Sequence, residues 1–221
     1  MSNIVFMGTP QFAVPILKKI VEKYKISSVF TQPPSKSNRG QKYIKSPIHK
    51  CAEELNLEIK TPKKINEEFE YLKGLKLDLA IVVAYGQLIP KKILDLSKKG
   101  FLNIHASLLP KWRGAAPIQR SILNNEKLTG ISFMKINEKL DSGPVCNKYL
   151  IDILGQDNAE TLSEKLSYLG SEKILENMQK VLEEEAIFKE QDHSKVTYAF
   201  KIQKKEGKIN WHNSANKIIA Q

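Results

Sequence analysis

Arginine is scarce in a chain that is otherwise rich in positive charge. Of 35 basic residues only Arg39, Arg113 and Arg120 are not lysine. A guanidinium offers a planar fork that an ammonium cannot copy, and all three arginines fall in loop or motif regions. Cysteine is nearly as rare. Cys51 and Cys146 are the only two, and their separation fits neither a redox pair nor a metal-ligand spacing, so both read as reduced packing residues. No metal is expected, because no cluster of ligand residues is visible. Long apolar runs are also missing. No stretch approaches the about 20 apolar residues of a membrane helix, so no membrane partner is expected. The opening Ser2–Gly8 lacks the basic and long apolar regions of a signal peptide and reads as a buried strand. Gly-x-Gly-x-x-Gly does not follow that strand, which argues against NAD or FAD, and no Walker sequence implies ATP. Gly8-Thr9-Pro10 is then a plain strand-to-helix turn.

What remains is the composition of a globular cytoplasmic protein, with 41% hydrophobic and 27% charged residues over 221 positions. That length suits one large domain, or one domain and a fragment. The net charge of +11 fits a nucleic-acid partner, and fits equally a lysine-rich bias of the source organism.

Short apolar runs alternate with helical patterns. Residues 4–7, 26–30, 79–84 and 101–105 read as strands, and 12–24, 47–56, 66–72 and 91–96 as helices. Alternating units with a continuously apolar Leu79–Ala84 predict a doubly wound, mostly parallel α/β sheet covered on both faces. Residues 129–136 and 145–153 extend the sheet, and 161–182 read as a long amphipathic helix. Ser46 before Pro47 is a helix cap. After Glu185 the pattern loosens: 189–197 reads as polar linker, Ile209-Asn210-Trp211 as a strand, and 214–220 as the first turns of a helix.

Asn103 and His105 stand two apart on the strand Phe101–His105, so they share one face, opposite Leu102 and Ile104. The following Ser107–Gly114 is a turn, which places polar side chains at the carboxyl edge of the sheet. Asp141 lies in the turn Leu140-Asp141-Ser142-Gly143-Pro144. An amide, an imidazole and a carboxylate together can manage a carbonyl that becomes an oxyanion. Taken singly, His105 could be structural and Asp141 a mere turn-former. His49 reads as structural, and His193 and His212 as solvated. The long loop Gln32–Lys45 carries Lys36, Arg39, Lys42 and Lys45 around Tyr43. Charge with an aromatic suits a nucleic-acid contact, and a solvated basic loop fits the same residues.

Asn103-Ile104-His105, the Ser107–Gly114 turn and Leu140-Asp141-Ser142-Gly143 resemble the signature of the folate-dependent formyltransferase family. Gly8-Thr9-Pro10-Gln11-Phe12-Ala13, Val82-Val83-Ala84-Tyr85-Gly86 with Leu88-Ile89-Pro90, and the run from Ser107 to Arg120 resemble the branch acting on methionyl-tRNA. The resemblance is collinear from residue 4 to about residue 212. It implies a Rossmann-like formyltransferase domain over residues 1–186, a linker over 187–205, and an incomplete start of a second, β-barrel domain over 206–221.

The same resemblance implies transfer of a formyl group from 10-formyltetrahydrofolate to the amino group of methionyl initiator tRNA. Asn103, His105 and Asp141 take the chemistry. Ser107, Leu108, Leu109 and Pro110 take the folate, with the loops 83–88 and 137–141 completing its pocket. Arg39, Lys42 and Lys45 take the tRNA, and the protein is expected to act as a monomer. A formyltransferase for a small amine, such as a sugar nucleotide or glycinamide ribonucleotide, would use the same three residues, but the basic loop and the 113–120 run argue against it. A non-catalytic RNA- or folate-binding remnant is opposed by the intact three residues.

Overall fold

A computed structural model describes residues 2–37 and 42–221. The strands are β1 (Ile4–Gly8), β2 (Ile26–Phe30), β3 (Ser35–Ser37), β4 (Lys42–Ile44), β5 (Ile59–Lys60), β6 (Leu79–Val83), β7 (Phe101–His105), β8 (Arg113–Gly114), β9 (Leu128–Lys135), β10 (Val145–Asp152) and β11 (Tyr198–Ala199). The helices are α1 (Val14–Val21), α2 (Pro47–Glu54), α3 (Phe69–Gly74), α4 (Lys91–Leu94), α5 (Pro117–Leu123), α6 (Ala159–Leu182) and α7 (Ala215–Ile219).

Seven strands form one sheet in the order β10-β9-β7-β6-β1-β2-β5. The five from β5 to β7 run parallel, while β9 and β10 add an antiparallel edge. The chain leaves β1 toward β2 and β5, then returns to lay β6 on the other side of β1. The switch between these two directions opens a crevice at the carboxyl ends of β1 and β6, where doubly wound sheets bind ligands.

The period-2 alternation of the strands divides the core in two. Ile4, Phe6, Ile81, Val83, Leu102 and Ile104 pack under α1, α2 and α6. Val5, Met7, Ala80, Val82 and Phe101 pack under α3 and α4, against Leu72 and Ile93. Asn103 follows Phe101 on this second face, as its spacing requires. The Ser46 hydroxyl accepts from His49 N at 3.0 Å and starts α2. Asn158 caps α6 by accepting from Thr161 N, and the Thr161 hydroxyl accepts from Asn158 N in return.

Two expectations are corrected. The Gln32–Lys45 loop is not structureless: β3 and β4 pair as an antiparallel hairpin on its two sides. The expected strand at Ile209–Trp211 is a turn. Asn210 closes it by accepting from His212 N at 3.1 Å, the local bonding that Asn side chains offer the backbone. The polar stretch read as a linker makes specific contacts with the preceding sheet and loops. Lys189 bridges Val145, Gln191 is buried, and β11 runs parallel to β8. The helix expected at 214–220 is α7. Among the described residues no helix is long and apolar enough to cross a membrane.

Candidate active site

A cavity of about 1180 Å³ opens at the crevice. Pro10 after β1, Ala84 after β6, and Asn103 and His105 on β7 line its floor. Residues 84–91 form one wall and residues 136–141 another, with Pro117 and Ile118 from the start of α5. Asn103, His105 and Asp141 therefore meet in one pocket, although Asp141 comes from a loop 36 residues farther along the chain than His105.

His105 is 6% exposed, and its two ring nitrogens have different neighbours. Nε2 lies 2.8 Å from the carbonyl oxygen of Trp112. A carbonyl only accepts, so Nε2 carries a proton, and the tautomer is assigned by that partner. Nδ1 lies 3.7 Å from Asp141 Oδ2. That gap is too long for a direct hydrogen bond and short enough for strong attraction once the ring is charged. Gly114 N donates to the same Oδ2 at 2.8 Å and fixes the carboxylate. Asn103 is buried, and its side-chain amide has no protein hydrogen-bond partner among the described residues, so it is available to a ligand in the cavity.

The walls are held by specific bonds. The Tyr85 carbonyl accepts from Thr9 Oγ1 at 2.9 Å and from Gln32 Nε2 at 3.1 Å. Gln87 ties the same wall to residues 62–65 by accepting from Ile65 N and donating to the Pro62 carbonyl. Burial drives the Tyr85 phenol well above its usual range and keeps it neutral. Ala84, Trp112 and Asp141 all have positive φ, at 47°, 61° and 44°. Non-glycine residues in that region cluster where surrounding structure over-determines them, often at functional sites.

Ser107, Leu108, Leu109 and Pro110 follow directly on β7. None lines the cavity. Ser107 and Leu109 are fully buried, and the Ser132 hydroxyl bridges the Ser107 carbonyl and Leu109 N at 2.7 and 3.0 Å. The Leu109 carbonyl accepts from Lys148 Nζ, whose pKa burial lowers. The stretch supports the loop that carries Trp112, and residues 84–88 and 137–141 line the cavity.

Of the residues expected to meet tRNA, Arg39 lies outside the described residues, and Lys42 opens β4. Lys45 makes an ion pair with Glu53. Arg113 and Arg120 face the C-terminal stretch. Arg113 is buried and donates to Gln191 Oε1 from Nε and Nη2. Arg120 donates to both Glu206 oxygens and to the Phe200 carbonyl. Gln191 and Thr197 had no signal in the sequence, because they lie in a polar stretch without periodicity.

A formyl transferase family profile matches residues 2–178. The methionyl-tRNA formyltransferase of Pelagibacter ubique is 64% identical over 99% of this chain and 72% of its own length. That of Thermodesulfovibrio yellowstonii is 46% identical over 99% of this chain and 71% of its own length. An N-formyltransferase from Helicobacter canadensis, solved with folinic acid and dTDP-3-aminofucose, superposes with a TM-score of 0.77 at 20% identity. That match covers 100% of this chain and 79% of that one.

Proposed function

The chain belongs to the formyl transferase family, and from that premise we propose that it formylates methionyl initiator tRNA, with 10-formyltetrahydrofolate as donor, in the cytoplasm and as a monomer. The observation that carries this reading is the meeting of Asn103, His105 and Asp141 in one cavity at the sheet switch point, in a chain so close to the named relatives. Residues 1–186 form the catalytic unit, 187–205 connect it, and 206–221 begin a second domain.

The donor meets Ser107, Leu108, Leu109 and Pro110 and the loops 83–88 and 137–141, with its formyl group toward Asn103 and His105. The methionyl amine attacks the formyl carbon, forming a C–N bond and an oxyanion. The free Asn103 amide donates to that oxyanion. In the charged ring Nδ1 also carries a proton, so His105 donates there while Nε2 stays on the Trp112 carbonyl. Asp141 Oδ2 faces Nδ1 at 3.7 Å. The proton lost by the attacking amine passes through the Asp141 carboxylate, by way of water, to the folate nitrogen as its bond to the formyl carbon breaks. Holding both substrates in one cleft supplies much of the acceleration. Arg39, Lys42 and Lys45 meet tRNA phosphates.

A formylation assay with methionyl initiator tRNA tests the reading directly. Formylmethionyl-tRNA should form in proportion to enzyme and donor. Turnover of an amino-sugar nucleotide or of phosphoribosylglycinamide, with none of methionyl-tRNA, would replace it with a small-amine activity.

A further inference from the structure

Gln191 lies outside the cavity, yet all its hydrogen bonds lead to the loops that shape it. Its amide oxygen accepts from Arg113 Nε at 3.1 Å and Nη2 at 2.8 Å. Its amide nitrogen donates to the Asp141 carbonyl at 2.9 Å and to the Gly143 carbonyl at 2.7 Å. The side chain is 7% exposed, and only one amide orientation satisfies all four bonds. Six residues on, the Thr197 hydroxyl accepts from Trp112 N at 2.9 Å, and the Thr197 carbonyl accepts from Arg113 N at 2.9 Å. The segment then pairs as β11 with β8, setting Ala199 beside Gly114. A Cβ on Gly114, where φ is +122°, would sit 2.9 Å from the Ala199 carbonyl oxygen, so only glycine permits this approach.

Asp141 and Trp112 flank the two nitrogens of His105, the first with its carboxylate 3.7 Å from Nδ1 and the second with its carbonyl 2.8 Å from Nε2. Both have positive φ, a backbone state that a non-glycine residue keeps only when its surroundings enforce it. The bonds from residues 191–199 are such surroundings. We propose that Gln191 and Thr197 are positioning residues for formyl transfer. They hold Asp141 and Trp112 in left-handed backbone conformations and so place carboxylate and carbonyl at opposite sides of the His105 ring. The stretch that connects onward from the catalytic unit is thereby part of its active-site scaffold. This rests on the catalytic reading of His105 and Asp141.

The test is a mutant cycle on the full chain. Gln191→Glu keeps the acceptor that Arg113 needs but removes the donor to the Asp141 and Gly143 carbonyls. Thr197→Val keeps volume and removes the hydroxyl. Each should lower kcat on the order of 10- to 100-fold, as small misplacements of reacting groups do, while the KM for the donor changes far less. Asp141→Asn should be slow by itself, and adding Gln191→Glu to it should cost nothing further, because a residue acting through Asp141 has nothing left to position. Losses that simply multiply, or near-normal kcat in both single variants, would overturn the proposal. If Gln191→Glu does not fold, Thr197→Val is cycled against His105→Ala, the residue whose Nε2 the Trp112 carbonyl holds, and a further loss on top of His105→Ala would overturn the proposal. Normal turnover in Asp141→Asn or His105→Ala would instead remove the catalytic reading itself, and the positioning role with it.

Discussion

At the scale of single residues, His105 is defined by its neighbours rather than by its type. The Trp112 carbonyl occupies Nε2, which leaves Nδ1 as the nitrogen facing Asp141. His105→Ala and Asp141→Ala should therefore lose most turnover, whereas donor binding should persist. Asn103→Ala removes one oxyanion donor and should cost about 100-fold or more in kcat. Steady-state formylation beside equilibrium titration of the donor checks all three, and near-normal turnover in His105→Ala would sink the mechanism. Cys146 gives a pH-dependent prediction. Burial pushes its thiol pKa up to about 11. The thiolate is the reactive form, and it is scarce below the pKa and grows as pH rises toward it. Iodoacetamide at pH 8 should leave Cys146 of the native protein unmodified, and modification should accelerate toward pH 11. Rapid labelling at pH 8, detected by mass spectrometry, would contradict its burial.

At the scale of elements, what the sequence revealed was what periodicity encodes. The apolar run Leu79–Ala84 and the pair Asn103 and His105 announced a buried parallel strand and a shared face, and β6 and β7 carry both. Helix α6 was legible from its leucines, although its start at Ala159 depends on the Asn158 cap. Asn158→Ala should lower stability by about 1 kcal/mol with kcat unchanged, which chemical denaturation and kinetics would show. A loss of activity at equal stability would give α6 a role beyond packing. Residues 187–199 were illegible because Gln191 is buried through hydrogen bonds, not through apolar contacts, so its surroundings in sequence look solvated. Ser107–Pro110 was legible as the turn that follows β7. It is apolar because Leu109 packs against Met134 and Val145, whereas the cavity walls come from loops 83–88 and 137–141. Arg39 falls between β3 and β4 in sequence and is one of only three arginines. Arg39→Ala should raise the KM for tRNA far more than that for the donor. A change confined to the donor KM would move tRNA recognition elsewhere on the chain.

At the scale of the whole molecule, charge separates the two substrates. The chain carries +11 at pH 7, nearly all of it on lysines, which hold phosphates as point charges rather than by geometry. Association with tRNA should release counterions and weaken steeply with salt. Five neutralised phosphates would correspond to a slope of about −4.5 in log affinity against log salt. The folate donor is small and carries few charges, so its affinity should change little over the same range. The chain spans 72% of the length of its Pelagibacter relative. Any phosphates met by the remainder of that relative steepen its slope and not the slope of residues 1–221. Titration of both proteins with initiator tRNA between low and moderate salt should therefore give the shallower line for the 221-residue chain, with donor affinities that stay comparable. Equal slopes and equal tRNA affinities would mean that the lysines and arginines of residues 1–221 already make the whole electrostatic contact.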